Sequence, residues 1–287
     1  MRSGFLILSA VVLFRWPASA QDTLASQALP QLAAQASKFW QSAPDYIARE
    51  TLKQKAVTVP KRRLHIGASA VEPPKSVMKD REIVSCYALS SFKSSPEALH
   101  EFRQVVSVDG KIVTPEDSAR QKLRATLTST DAAKKALVTD FEKSGLTIAA
   151  TDFGQLVLLF TKANLRKYAF ESQSTGLVGA DRAIVIAFHQ NAGNESVKIV
   201  EPGKQVREPL SGQLWVRESD FLPLRITLNV LRRQQHEEIR DEARVDYESK
   251  ANGTILPASV VYRRYVNDEL HVENIYEYSD WQLVNAK

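Results

Sequence analysis

The sequence predicts an α+β fold in which an antiparallel sheet is covered on its apolar side by helices. Three observations lead to this prediction. From about residue 167 to the C-terminus, short segments alternate apolar and polar residues and are separated by turn residues. Helical patterns occupy two earlier stretches, 22–45 and 114–165. A sheet with one apolar face needs a cover, and these helices are the segments available to provide it.

The composition is that of a globular protein that can bury a sizeable core. The chain has 287 residues, of which 44% are hydrophobic and 25% charged, which allows one large domain or two small ones. Its net charge is +5, and this falls to +3 if Arg2 and Arg15 are removed with an N-terminal signal. So small an excess of positive charge argues against nucleic acid as a partner.

The N-terminus has the features of an export signal. Arg2 precedes an apolar run of ten residues at 5–14, and the small residues at 18–20 fit a signal-peptidase site. We therefore predict a signal peptide at 1–20, cleaved after Ala20, and a periplasmic or secreted mature protein. An uncleaved anchor is the alternative. No segment approaches the roughly 20 apolar residues of a membrane helix, so no transmembrane span is predicted in the mature chain.

The first half of the mature chain is predicted to begin with a helix and to continue with strands. Residues 57–80 form a polar, proline-containing connection with a basic cluster at 61–63. That cluster is interpreted as a solvated loop, with contact to anionic headgroups as the alternative. The strands predicted here are 46–56, 81–92, 101–108 and, after a hairpin turn at Asp109-Gly110, 111–113.

A helical insertion is predicted at about 114–165. Thr114 is expected to be the N-cap of its first helix, with Pro115 at the first helical position. A second helix is expected to begin at Asp131 and a third at Asp152. The run 156–160 is apolar on all sides, so it is predicted to be buried or to cover something apolar.

The second half of the chain is predicted to be a series of antiparallel strands joined by short turns. Asn252-Gly253 and Asn267-Asp268 have the composition of hairpin turns. The predicted strands are 168–172, 176–188, 195–200, 212–218, 223–231, 238–249, 255–266 and 269–284.

The sequence contains no motif for catalysis or for metal binding. Its five histidines lack metal-ligand spacing, and there is no nucleophile elbow, phosphate-binding loop or dinucleotide-binding glycine pattern. Cys86, the one cysteine, lies in a strand-like run and is interpreted as a packed thiol. We therefore predict no enzymatic activity, no catalytic residue, no metal and no cofactor. An unrecognised hydrolase is the less favoured alternative.

Aromatic and apolar side chains of the later strands are candidates to line a ligand cavity between the sheet and its cover. The alternative is ordinary cross-strand packing in a solid core. The candidates are Trp215, Leu224, Ile226, Leu228, Tyr247, Tyr262, Tyr276 and, from the apolar run, Phe160.

A loose pattern runs through the later strands. Gly212-Gln213-Leu214-Trp215-Val216 is followed by Pro223-Leu224-Arg225-Ile226, then by Tyr247 and by Leu256-Pro257. This order, G-x-L-W-V, P-L-R-I, Y and L-P, resembles that of periplasmic lipoprotein-carrier-like proteins of the Lol type. Within that family the chain resembles uncharacterised secreted bacterial members more than the lipoprotein carriers proper. The resemblance covers about 165–284, and the earlier half agrees only in its order of elements.

The resemblance implies a strongly curved antiparallel sheet, an incomplete barrel, that is closed by helices and binds lipid or acyl chains in its cavity. None of the family's ligand-contacting residues can be aligned to this chain. We therefore predict one lipoprotein-carrier-like domain at 21–287 that holds a lipid or lipoprotein acyl chains. The alternative is a cell-envelope module that binds a partner protein through open sheet edges.

Overall fold

The structure is a computed structural model that describes residues 18–58, 76–149, 151–193, 197–201, 204–234 and 236–284. Most of the predicted signal peptide and the basic cluster at 61–63 lie outside the described residues. The described helices are α1 (Ala18–Ser42), α2 (Glu116–Leu127) and α3 (Asp131–Glu142). Short 3-10 turns lie at Ala43–Asp45, Leu156–Phe160 and Leu165–Lys167.

Eleven of the described strands form one antiparallel sheet in the order β4-β3-β2-β1-β13-β12-β11-β10-β9-β6-β5. The two edge strands do not pair with each other, so the sheet is not closed. The predicted α+β class with an open antiparallel sheet is confirmed. The strands are β1 (Tyr46–Thr58), β2 (Val77–Phe92), β3 (Ser95–Val108), β4 (Lys111–Ile112), β5 (Tyr168–Val178), β6 (Asp181–Gln190), β7 (Val197–Glu201), β8 (Lys204–Glu208), β9 (Ser211–Arg217), β10 (Pro223–Gln234), β11 (Glu237–Ser249), β12 (Ile255–Val266) and β13 (Glu269–Leu283).

The sheet must curve strongly, as two contacts of one short segment show. Gly154 donates a hydrogen bond to Glu101 of β3, and Phe160 packs on Phe188 of β6. In a flat sheet β3 and β6, eight strands apart in the order, would be separated by about 38 Å. Six residues span at most about 22 Å even when extended. The segment therefore bridges two strands that curvature has brought together.

The inner face of the sheet is the face that carries Leu52, Tyr87 and Ile226. It forms the main core together with α1, whose buried residues recur at the spacing of one helix face. These residues are Ala25, Ala28, Leu32, Ala36 and Phe39.

Helices α2 and α3 lie mainly on the other face, over β2 and β3, and not on the inner face for which sequence patterning proposed them. The reason is that β2 is buried on both faces, through an unbroken run at 83–89. Cys86 faces Ala119 and Leu123 in this second core. Burial raises the pKa of its thiol to about 11, so Cys86 is a packed thiol as predicted.

Two details of the helical insertion were wrongly predicted. Pro115, not Thr114, is the N-cap of α2, because Pro115 has an extended ψ of 141° and its carbonyl accepts the first helical hydrogen bond, from the Ala119 amide. The helix predicted at Asp152 is only the 3-10 turn Leu156–Phe160. Asp152 adopts a positive φ of 66°, which a right-handed helix does not allow.

The turns were predicted more accurately than the helices. Asp109-Gly110 and Asn267-Asp268 join their strands with positive φ at both positions, as tight hairpins require. Gly253 has φ 73° in the turn between β11 and β12. The strand predicted at 195–200 is β7, which pairs with the unpredicted β8 in a hairpin separate from the large sheet.

Candidate ligand-binding site

The segment 143–167 is here called the strap; its described residues, 143–149 and 151–167, lie between α3 and β5 and cross the inner face of the sheet. Polar side chains of the sheet bind the strap backbone at three places. At the first, Gln54 accepts from the Thr147 amide at 2.8 Å and donates to the Ile148 carbonyl at 3.0 Å. Asn274 donates to the same carbonyl at 3.1 Å. Both side chains are buried, so the strap supplies the partners that buried amides need.

The second place is the Glu101 carboxylate on β3. It accepts from the backbone amides of Asp152 at 2.7 Å and Gly154 at 2.8 Å. It also accepts from the Tyr87 hydroxyl at 3.1 Å and from Arg103 Nη2 at 2.8 Å. A carboxylate has about four acceptor positions, so none remains for a substrate. Glu101 is therefore suited to positioning the strap and not to proton transfer.

Arg103 joins Glu101 to a second buried carboxylate, Glu50 of β1. The guanidinium donates from Nε to Glu50 Oε1 at 2.7 Å and from Nη2 to Oε2 at 2.8 Å. The side chains of Arg103, Glu50 and Glu101 are 2%, 0% and 1% exposed. Burial raises the pKa of Glu50, and the charge of Arg103 offsets this only in part. Burial acts to lower the pKa of Arg103, but the two carboxylates raise it, so the guanidinium stays charged.

Aromatic rings enclose this triad of Glu50, Glu101 and Arg103. The guanidinium carbon lies 4.8 Å from the ring centre of Phe141, 5.2 Å from that of Tyr87 and 5.5 Å from that of Tyr276. Such stacking suits arginine, whose planar cation is weakly hydrated. Burial raises the pKa of Tyr87, and the nearby Glu101 carboxylate adds to this effect, so the hydroxyl remains a donor.

The third place is the Tyr247 hydroxyl, which accepts from the Val157 amide at 3.0 Å. Three residues later, Phe160 packs among the rings of Tyr168, Phe170 and Phe188. The prediction that the apolar run 156–160 is buried is confirmed for Leu156, Val157 and Phe160. Leu158 and Leu159 remain half-exposed.

Those half-exposed residues face a hollow of about 490 Å³, here called the apolar cleft. Its volume lies within the range of about 300–1,000 Å³ that is typical of small-molecule sites. The cleft lies between α1, the start of β3 and the strap. Its apolar lining is Trp40, Leu99, Leu156, Leu158 and Leu159.

A second hollow of about 380 Å³, here called the polar hollow, lies beyond Asp152, which lines both. His100 Nδ1 is 3.4 Å from Asp152 Oδ2, and this contact raises the pKa of His100 although partial burial opposes it. The polar hollow is lined by Phe92, His100, Arg103, Lys135, Phe141 and Asp152, among others. Its surface is mainly apolar, as in the cleft, with charged side chains at its edge, and the two hollows adjoin at Asp152.

The residues predicted to contact ligand lie elsewhere. Trp215 projects from the outer face, where the Arg225 guanidinium carbon is 5.8 Å from its ring centre. It is therefore separated by the sheet from the other seven, which are buried on the inner side and line neither hollow. These seven are Phe160, Leu224, Ile226, Leu228, Tyr247, Tyr262 and Tyr276. Their contact with ligand stays a prediction.

Sequence reasoning missed the residues that line the cleft, although two signals were present. The apolar run 156–160 was recognised, but only Phe160, its one aromatic residue, was taken as a candidate. Trp40 was assigned to one face of the first helix and was not considered further. The structure shows that the half-exposed members of both patterns border the cleft.

Two searches of the described part of the chain found nothing further. No group of three or more His, Cys, Asp or Glu side chains there is arranged to hold a metal ion. None of the described helices is long and apolar enough to cross a membrane.

Comparison with known proteins gives structural neighbours only. No family model and no curated protein matches the chain. One similar solved structure is a putative outer membrane lipoprotein-sorting protein domain from Vibrio parahaemolyticus, with 9% identity, a TM-score of 0.37 and coverage of 92% of this chain and 94% of that one. Another is a DUF1329 family protein from Desulfovibrio piger, with 10% identity, a TM-score of 0.33 and coverage of 94% and 95%. At these TM-scores neither likeness identifies a ligand or an activity.

Proposed function

We propose that the protein is an exported binding protein that holds an apolar ligand, a lipid or the acyl chains of a lipoprotein. The observation that carries this proposal is the apolar cleft. Trp40, Leu99 and Leu158 border a hollow of about 490 Å³ directly above the main core. Water in such a hollow is readily displaced by a hydrocarbon chain.

Burial of acyl surface supplies the binding free energy. Each buried methylene contributes about 0.8 kcal/mol, so a chain that buries about ten methylenes gains about 8 kcal/mol. Ordering the chain and removing its freedom of movement cost part of this gain. The remainder corresponds to dissociation constants in the micromolar to millimolar range.

The proposal extends to compartment and domain organisation. Residues 1–20 act as a signal peptide, and residues 21–287 form one carrier-like domain whose helical insertion, about 114–165, supplies part of the cover. The protein acts by binding and has no catalytic role. What supports this in the structure is that the buried carboxylates are engaged in hydrogen bonds that position the strap.

The test is to isolate the protein from the compartment in which it works. The full chain is expressed in a bacterial host, purified from the periplasm and examined by native mass spectrometry, organic extraction and N-terminal sequencing. We expect a mature N-terminus at Gln21 and a bound lipid in the extract. A protein that carries no lipid and takes up no fluorescent fatty acid on titration contradicts the proposed function.

A second function is favoured by the edge strand β5. Its side away from β6 has no strand partner in the described sheet, and its residues 172–178 contain no lysine or proline to block strand addition. An envelope protein could add a strand there. Site-specific photo-crosslinking from position 175 that captures one envelope protein, from preparations without lipid, would favour this function over ligand binding.

A further inference from the structure

The three places at which the sheet binds the strap differ in chemistry. At Thr147 and Ile148 the partners are the neutral amide side chains of Gln54 and Asn274, which also bond to each other at 2.8 Å. At Asp152 and Gly154 the partner is the carboxyl group of the Glu101 side chain. The first place fixes the start of the strap to two central strands, β1 and β13, whereas the second depends on one carboxylate.

The strap at Asp152 borders open space. The polar hollow and the apolar cleft adjoin it, one on each side, and Asp152 lines both. Beyond it, Leu158 and Leu159 face the cleft, whereas Leu156, Val157 and Phe160 are buried. This part of the strap therefore has space beside it into which it can move.

The backbone at Asp152 is held in a strained conformation. Its φ of 66° is in the left-handed region, which non-glycine residues adopt infrequently. Two reciprocal hydrogen bonds maintain it, from the Asp152 amide to Glu101 Oε2 and from the Glu101 amide to Asp152 Oδ1 at 2.9 Å. Release of Glu101 relieves this strain, so the strain favours opening.

Gly154 allows the strap to approach Glu101 closely. A Cβ atom at this position would lie 2.8 Å from both Glu101 Oε1 and the Tyr87 hydroxyl oxygen, which is closer than packed atoms come. The contact between the strap and the carboxylate thus needs a glycine at this point.

From these observations we propose that residues 151–160 of the strap open and close as a gate, with Glu101 as its latch and Thr147–Ile148 as its fixed end. Opening withdraws Phe160 from the rings of Tyr168 and Phe188 and extends the apolar cleft into the main core. Tyr247, which holds the Val157 amide in the closed state, then faces the entering ligand. This inference rests on the proposed function, since the gate controls access to the same cleft.

Hydrogen exchange of the ligand-free wild-type protein tests the gate without any substitution. We expect the amides of Asp152, Gly154 and Val157 to exchange through one shared opening and at least tenfold faster, after correction for intrinsic rates, than the amide of Thr147. Equal protection at all four amides would mean that the strap leaves the sheet only on global unfolding, and would overturn the proposal.

Glu101→Gln tests the latch itself. A glutamine has one acceptor oxygen in place of two and presents an NH₂ group to the strap amides, so both bonds cannot persist. We expect a further rise of at least tenfold in exchange at 152–157, and several-fold faster release of a bound fluorescent fatty acid. The matched control is Glu277→Gln on β13, whose exposed carboxylate lies 3.7 Å from Nζ of the exposed Lys53.

The readouts separate failure of the gate from failure of the proposed function. If Glu101→Gln raises exchange equally at Thr147 and in β13, Glu101 only stabilises the fold and the latch is refuted. If lipid binds and exchange at 152–157 stays unchanged, the gate fails while the binding function stands. If no lipid binds but local opening is observed, the gate stands and the binding function fails.

Discussion

Strands β1–β3 and strands β10–β13 carry charged residues in contrasting surroundings. In the first group, Glu50, Glu101 and Arg103 lie on an inner face that is closed off by the strap and by Phe141. On the outer face of the second group, pairs such as Arg263–Glu273 are 40% and 15% exposed. The buried triad spans two strands and the strap, so its loss affects the cover of the core. The outer pairs connect neighbouring strands in contact with water, where each contributes little.

The largest effect is expected from Arg103→Met, which leaves two buried carboxylates without their cation. Breaking a buried ionic network in this way lowers the free energy of unfolding by about 3–5 kcal/mol. Urea denaturation of variant and wild type measures the change. A loss below about 1 kcal/mol would show that the triad behaves like a surface pair and would remove the contrast between the two regions.

A smaller loss is expected from Tyr247→Phe, which removes the acceptor for the buried Val157 amide. An unsatisfied buried donor costs about 1–3 kcal/mol. Thermal and urea unfolding measure it, with Tyr265→Phe on β12 as the control, because the Tyr265 ring is half-buried and packs beside Arg240. Equal losses of stability in the two variants would contradict the role of the Tyr247 hydroxyl in holding the strap.

The pH dependence of the stability of His100→Gln tests the contact between His100 and Asp152 of the strap. Because Asp152 raises the pKa of His100 in the folded protein, the contact is fully stabilising below the unfolded pKa of about 6.5 and is lost as pH rises through the higher folded value. We expect the Tm of wild type to exceed that of the variant by about 1–2 °C more at pH 5.5 than at pH 8.5.

The control for this pH effect is His236→Gln, at an exposed position before β11. This variant measures the effect of replacing a histidine by glutamine at a site that lacks the contact with Asp152. A His100→Gln difference that is independent of pH, or that grows as pH rises, would contradict the assigned contact with Asp152.

The smallest effect is expected on the outer face. Arg263→Met removes the partner of Glu273, and both side chains reach solvent. We expect a change in the free energy of unfolding of less than about 1 kcal/mol, measured by urea denaturation alongside Arg103→Met. A loss as large as that of Arg103→Met would show that burial does not distinguish the two groups of ions.

The strands and hairpins could be predicted from the sequence because their signals are local. Alternation with period two and turns such as Asn267-Asp268 depend on a few neighbouring residues. The triad was not predicted, because Glu50 and Arg103 are 53 residues apart and meet only across β2. One signal was available: Glu50 lies two residues from each of the apolar residues Ala48 and Leu52 in β1, so its side chain is on the same face of the strand.

The strap could not be predicted for a related reason. Aspartate commonly caps helices, and an apolar run after Asp152 has the pattern of a buried helix. What the sequence does not reveal is that Glu101 of a distant strand binds the Asp152 and Gly154 amides. Those bonds fix a conformation that excludes the helix. The cleft is formed by this strap, so its lining could not be deduced from local patterns.

Titration with a fluorescent fatty acid tests the central claim, that the apolar cleft holds an acyl chain, most directly. Wild type is compared with Leu158→Glu, which places a charge in the cleft, and with Leu177→Glu, at an apolar residue of β5 that is 64% exposed. We predict saturable binding by wild type and Leu177→Glu, and at least tenfold weaker binding, about 1.4 kcal/mol, by Leu158→Glu. No saturable binding by wild type, or equal affinity in the two variants, would contradict the account.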